Sequence, residues 1–318
     1  MTPTRRLSVE RIESAATVID PVFLDSPQFL AESLSRELGV RLVVKVETMN
    51  PIRSFKGRGT EFLMASLDGG THLVCATAGN FGQGMAWSAR KRGFPITVFS
   101  ATSANPLKVE RMRAFGAEVR QVGSDFDEAH HAATEFARAN GARLVEDGRD
   151  VEIAEGAGTI GSELVRWPEP LASIVVPLGD GALLAGIAAW MKAHSPGTQM
   201  VGVCASGAPA MERSWRTGRL CELPAHTIAD GIAVTSPFAE ALSDILGVVD
   251  DVALVDDESI VTAIRLAHAD LGIVLEPAGA AALAAVIAEP ERFRGQLVVV
   301  ILSGGNATAE QLRAWLAP

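Results

Sequence analysis

Between residues 72 and 148 the sequence repeats one short cycle, and that cycle limits the folds open to it. His72 to Ala76 is an apolar run, followed by a helical pattern from Met85 to Lys91 that stops at Gly93. Ile96 to Ser100 reads as a strand, Pro106 to Phe115 as a helix, and Glu118 to Val122 as a strand again. Asp125 to Asn140 and Arg143 to Val145 continue the alternation. Strands separated by helices of this length lie parallel, because a parallel connection needs a crossover of about a dozen residues. The segment is expected to form a small doubly wound unit.

The same rhythm frames it on both sides. Upstream, Leu30 to Leu38 reads as an amphipathic helix stopped by Gly39, and Val40 to Val46 as a buried strand. Residues 1–20 carry no clear signal, so the ordered chain is expected to start at Phe23-Leu24. Downstream come a helix from Gly158 to Arg166, a strand from Ser173 to Pro177, a helix from Leu183 to Ala193 and a strand from Met200 to Cys204. Helices Asp257 to Leu271 and Ala280 to Ala288 then lead into a strand from Gln296 to Leu302. The fold class is α/β, with two doubly wound domains and a ligand cleft between them. Residues 1–71 and 149–318 are assigned to a large domain and 72–148 to a small mobile one.

Composition narrows the partners. The formal charge of −10 leaves no basic stripe for nucleic acid. The longest apolar stretches are too short, or too broken by glycine and charge, to span a bilayer. Met1 to Arg11 lack the apolar core of a signal peptide. Cys75, Cys204 and Cys221 fit neither a metal spacing nor a disulfide framework, and the isolated histidines have no ligand spacing. The expectation is a soluble, cytoplasmic protein without nucleic-acid or membrane partners and without a metal.

Two stretches carry chemistry. Asn50-Pro51 breaks the chain after the Val40 to Val46 strand, and Ser54 is placed to cap a new helix. Lys56 falls in that helix's first turn, where the macrodipole makes an ammonium least welcome and favours the neutral amine that condenses with an aldehyde. On this segment alone, a surface lysine snorkelling beside a cap competes on equal terms. In the second stretch, strand Ile174-Val175-Val176 runs into Gly179-Asp180-Gly181-Ala182-Leu183, a glycine-rich turn that offers N–H groups to a phosphate. A dinucleotide fingerprint fits poorly, because the third glycine falls at Gly186.

These stretches, with others in the same order, resemble the threonine dehydratase and serine racemase family of pyridoxal-phosphate enzymes, the tryptophan-synthase-β-like fold type II. Ser54-Phe55-Lys56-Gly57-Arg58-Gly59 is similar to the Schiff-base motif, Thr77 to Gly84 to the loop that binds the substrate carboxylate, and Gly179 to Leu183 to the phosphate loop. Glu276 to Ala280 and Ser303 to Asn306 look like the segments around the pyridine ring, while Phe126 to Ala129 and Ala229 to Ile232 also match. The likeness runs from about Leu24 to the last residue.

The resemblance implies pyridoxal 5'-phosphate linked to Lys56, in a cleft whose large domain binds the cofactor. Phe55, Asn80, Gly179, Asp180, Gly181, Ala182, Leu183, Gly231, Glu276 and Ser303 would complete the cofactor site. Thr77, Ala78, Gly79, Asn80 and Phe81 would hold the substrate. Asn80, read in a tight turn, would bond the phenolic oxygen, and Ser303 the pyridine nitrogen; an asparagine suited to a left-handed turn and a serine capping Gly304-Gly305 are the plainer alternatives. A neutral hydroxyl at the ring nitrogen makes a weaker electron sink, which suits β-elimination better than transamination. Glu276 is expected to be structural.

Departures from the family pattern qualify this. Asp180 and Ala182 stand where dehydratases carry glycine, and Asp180 is expected to turn its side chain away from the phosphate. Phe81 replaces a histidine, which suggests a more apolar pocket. Ala78 replaces the serine of racemases; a methyl group moves no proton, so racemisation is disfavoured. Cys204 and Ala210 stand where related enzymes have metal ligands. The charged loop Glu146 to Asp150 could favour a polar or cationic side chain, or merely be solvated. The implied function is a lyase that releases ammonia from a small β-hydroxy or β-substituted L-amino acid such as threonine or serine. β-Replacement through the same unsaturated intermediate, or cofactor binding without turnover, are the alternatives. A homodimer is expected, and, as the sequence ends twelve residues after Asn306, no regulation by a bound amino acid.

Overall fold

The apolar β-branched runs become strands and sort into two sheets. The computed structural model describes residues 6–77 and 79–316. β1 (Gln28–Leu30) and β2 (Arg41–Val46) precede a block of four, β3 (Leu73–Ala76), β4 (Ile96–Ser100), β5 (Glu118–Gln121) and β6 (Arg143–Leu144). β7 (Ser173–Pro177), β8 (Gln199–Ala205), β9 (Asp251–Val255) and β10 (Leu297–Leu302) follow. The larger sheet has the order β1-β2-β10-β7-β8-β9 and the smaller β5-β4-β3-β6. All pairings are parallel except β1 with β2. β10 lies at the centre, in register with β2 from Leu297 beside Arg41 to Leu302 beside Val46. Every residue of its Leu-Val-Val-Val-Ile-Leu run is buried, as a strand covered on both faces requires.

The helices are α1 (Val9–Val18), α2 (Glu32–Leu38), α3 (Lys56–Ala65), α4 (Asn80–Arg92), α5 (Pro106–Ala114), α6 (Phe126–Asn140) and α7 (Val151–Leu164). They continue with α8 (Ala182–His194), α9 (Ala210–Thr217), α10 (Ala239–Ile245), α11 (Asp257–Leu271), α12 (Pro277–Ala288), α13 (Pro290–Phe293) and α14 (Ala309–Leu316).

Three expectations need correction. The first residues are not a featureless lead-in: α1 is capped by Ser8, whose Oγ accepts from Arg11 N at 3.2 Å. Its buried stripe is only Ile12 and Ala15, too narrow to stand out in the sequence. α4 begins at Asn80, five residues before the expected Met85. α7 begins at Val151 rather than Gly158, although it contains Gly156, Gly158 and Gly161.

Those glycines lower helix propensity, and packing overrides the loss. A Cβ on Gly156 would stand 2.5 Å from Arg58 O, and one on Gly186 1.9 Å from Ala154 O. Helices α3, α7 and α8 therefore touch backbone to backbone. Gly186→Ala should lower the unfolding free energy by roughly 1–3 kcal/mol through overpacking. Urea denaturation measures it, and an unshifted midpoint would show that the helices can separate freely.

Arg58, in the first turn of α3, is fully buried. Its Nε and Nη2 each donate to Glu47 at 2.9 Å, and Nη1 donates to Glu163 Oε1 at 2.6 Å and to Thr159 Oγ1 at 3.0 Å. Lys45 pairs with the same Glu163 and donates to Ser26 O at 2.7 Å. Two cations and two anions thus close a buried network two residues from Lys56.

Candidate active site

The carboxyl ends of β2, β3, β7 and β10 open on one cavity of about 520 Å³, where a doubly wound fold places its ligands. Asn50 shapes the approach from β2. Its Oδ1 accepts from Ile52 N and Ser54 N at 3.2 Å, and its Nδ2 donates to the carbonyls of Glu47 at 2.9 Å and Ser54 at 3.1 Å. Arg53 is held at φ 50°, a left-handed conformation unusual outside glycine, and its carbonyl accepts from Gly305 N at 3.0 Å. Phe55 N donates to Ser303 O at 3.1 Å, so the lysine loop is stitched to the end of β10. Phe55, not Ser54, is the N-cap of α3, and no described side chain caps that helix from this position; Ser54 Oγ accepts from Lys56 N at a long 3.4 Å.

Lys56 opens α3 with its Nζ in close ion pairing with Asp147 and 4.7 Å from the Phe55 ring centre. Opposite stands a polar knot. Glu276, the N-cap of α12, accepts from Asn80 Nδ2 and pairs with Lys108 Nζ at 3.0 Å. Lys108 also meets Asp230 at 2.8 Å. Burial alone would pull the Lys108 pKa down, but Glu276 and Asp230 outweigh it and raise it, so the group stays an ammonium. Asn306 Nδ2 donates to Asn80 Oδ1 at 2.9 Å and to Ile52 O at 2.8 Å. Asn80 is the first residue of a helix and not part of a left-handed turn, which removes that alternative.

The glycine turn after β7 forms a cradle. Gly181 has φ 98°, and no described side chain caps α8, so the first N–H groups of that helix are free for an anion. A Cβ on Gly179 would come within 3.0 Å of Gly231 O. Asp180 turns toward the loop 146–150, its Cβ 3.2 Å from where a Cβ would stand on Gly148. Burial first, and Asp147 second, push its carboxyl up to about 7, with Lys56 pulling the other way. Such a group favours the folded chain below about pH 4, and that contribution is lost as pH rises through about 7. Asp180→Asn should flatten the fall in stability over that window. Thermal unfolding across pH measures it; two parallel profiles would refute it.

Of the residues picked out from the sequence, every described one lines this cavity: Phe55, Lys56, Thr77, Gly79, Asn80, Phe81, Gly179 to Leu183, Gly231, Glu276 and Ser303. Ala78 lies outside the described residues. Sequence reading missed Lys108, whose signal was a lysine on the same helix face as the buried Met112. It also singled out no role for Asp147 within its charged loop. Among the described residues no group of three histidine, cysteine or acidic side chains could hold a metal ion.

A lysine facing an anion cradle, in a cleft between two largely parallel sheets, suits an enzyme that carries an aldehyde cofactor with a phosphate arm. Residues 19–304 match the family of pyridoxal-phosphate dependent enzymes, and the chain belongs to it. It is 37% identical over 276 residues to an L-threonine ammonia-lyase of Geobacter sulfurreducens, covering 86% of this chain and 69% of that protein. It is 31% identical over 311 residues to an L-threonine dehydratase of Lactococcus lactis, covering 94% and 75%. Among solved structures, the processed form of threonine deaminase isoform 2 from Solanum lycopersicum superposes with a TM-score of 0.89 at 29% identity, covering 98% of this chain and 90% of that one. Maize serine racemase gives 0.91 at 26%, covering 97% and 96%.

Proposed function

We propose that this enzyme eliminates the β-substituent of a small L-amino acid, threonine or serine in the first instance, giving a 2-oxo acid and ammonia. The observation that carries the reading is the contrast between the two lysines of the cavity. Lys108 is locked between two carboxylates, whereas Lys56 pairs with one carboxylate among the described residues, on a loop, and stands at a helix start. The bound cofactor supplies an electron sink that acidifies the Cα–H bond of a linked amino acid. Lys56 Nζ takes that proton. The N-terminus of α4, uncapped by any described side chain, holds the substrate carboxylate through its N–H groups, with Thr77 beside it. Ser303 offers a neutral hydroxyl to the ring nitrogen, and Phe81 keeps the amino-acid side of the pocket apolar. The α8 cradle takes the phosphate.

The relatives' names, which refer to threonine ammonia-lyase and dehydratase, support this reading. The proposal includes a cytoplasmic homodimer in which residues 72–148 move as a unit against the rest. Assaying ammonia and 2-oxo acid together over a panel of β-substituted L-amino acids tests the chemistry. Failure to form a 2-oxo acid from any of them would refute it.

A further inference from the structure

The carboxylates of the cavity outnumber its lysines, and most are accounted for. Asp230 and Glu276 belong to Lys108. Glu146 meets Arg149 at 2.8 Å and His130 at 2.7 Å. Asp125 caps α6, accepting from Glu128 N at 3.0 Å, and Asp127 sits in that helix's first turn, where the dipole suits it. Asp147 and Asp180 remain. The cation that Asp147 meets among the described residues is Lys56, and the charge of Lys56 also bears on Asp180. Asp147 Oδ1 is buried and has no hydrogen-bond partner among them.

Lys56 is also the amine that the cofactor uses. To take the Cα proton Lys56 must be a neutral amine, and at that step Asp147 faces no cation among the described residues and Asp180 loses the charge that acts on it. A buried carboxylate left in that state is unstable unless another cation replaces the first. Asp147 lies beside the atom that takes the Cα proton, which is where a substituent on the neighbouring Cβ would come.

We propose that the preferred substrate carries an ammonium on Cβ, as in L-2,3-diaminopropionate, and that Asp147 and Asp180 hold this group. The proposal rests on the elimination reading above and names its substrate class. Lys56 removes the Cα proton, the freed electron pair forms the Cα–Cβ double bond, and the Cβ–N bond breaks with its pair leaving on nitrogen. The leaving nitrogen already carries its proton, so it departs as neutral ammonia without a separate acid. Water hydrolyses the unsaturated amine to pyruvate and a second ammonia. The balance is diaminopropionate plus water giving pyruvate plus two ammonia, with no oxidant or reductant.

The test compares kcat/KM of the holoenzyme for L-2,3-diaminopropionate, L-serine and L-threonine. Serine has the same skeleton with a hydroxyl in place of the ammonium. The expected result is a preference for diaminopropionate over serine of about tenfold or more, since a site built for a polar group rejects the analogue lacking it. Two ammonia should appear per pyruvate from diaminopropionate and one from serine. Asp147→Asn should reduce the preference by about tenfold, and Asp180→Asn should reduce it as well. Turnover of serine or threonine in preference to diaminopropionate by the wild type would overturn this proposal and leave the elimination reading standing. No 2-oxo acid from any of the three would overturn both. An unchanged preference in both variants would overturn the assignment to these carboxylates.

Discussion

Lys56→Ala is expected to keep the fold at some cost in stability from Asp147 left without its cation, to lose the visible absorbance of lysine-linked cofactor, and to lose turnover by about a thousandfold or more. The side chain touches solvent through the cavity and makes one ion pair among the described residues, with Asp147, so removing it opens no cavity in the core. Lys108 cannot take over. Its nitrogen is buried between Glu276 and Asp230, and freeing it would leave both carboxylates without a cation. Borohydride reduction of the wild type followed by peptide mapping should place the cofactor on Lys56. A label on any other lysine would refute the assignment.

Arg58→Met should be the most destabilising single change near the site, by about 3–5 kcal/mol, because it leaves Glu47 and Glu163 buried with Lys45 as their remaining cation. Burial works against the Glu163 carboxylate, yet Arg58 and Lys45 hold its pKa below the ordinary range. That contribution is present above the ordinary carboxylate range and is lost as pH falls through the lowered value. The variant should therefore show a smaller loss of stability on acidification than the wild type, from a lower starting level. Urea unfolding at neutral pH gives the magnitude. A loss under about 1 kcal/mol would place this network with weak surface pairs.

Much of the fold was legible because its signals are local. The runs Val40 to Val46 and Gln296 to Leu302 announce buried strands, and Gly39, Gly93 and Gly141 stop helices in the left-handed conformation. The cavity residues that lie on the ordered motifs were legible through them. What stayed hidden depends on distant partners. Lys108 looks like a surface lysine until Asp230 is beside it, and α1 takes its place through Arg11 pairing with Glu155 at 2.7 Å. The first turns of α7 were hidden for the opposite reason, since a glycine reads as a helix breaker unless another backbone presses against it. Asn80 was read as a turn residue because its helix has no side-chain cap to announce it.

The central position of β10 has a consequence for how the enzyme is made. β3 to β6 occupy a continuous stretch, residues 73–144, and can pair as soon as that stretch leaves the ribosome. β2 is synthesised earlier, yet its parallel neighbour is β10, which is made much later, so half its hydrogen-bonding edge waits for Leu297 to Leu302. Closing so long a loop is slow, and during the wait the apolar edges of β2 and β7 are exposed to other chains. Ser303 and Gly304 arrive with the same strand, and only then can the loop bearing Lys56 be stitched in place. The cofactor pocket thus forms only once β10 is inserted, and excess cofactor should not rescue a chain that stalls before that step.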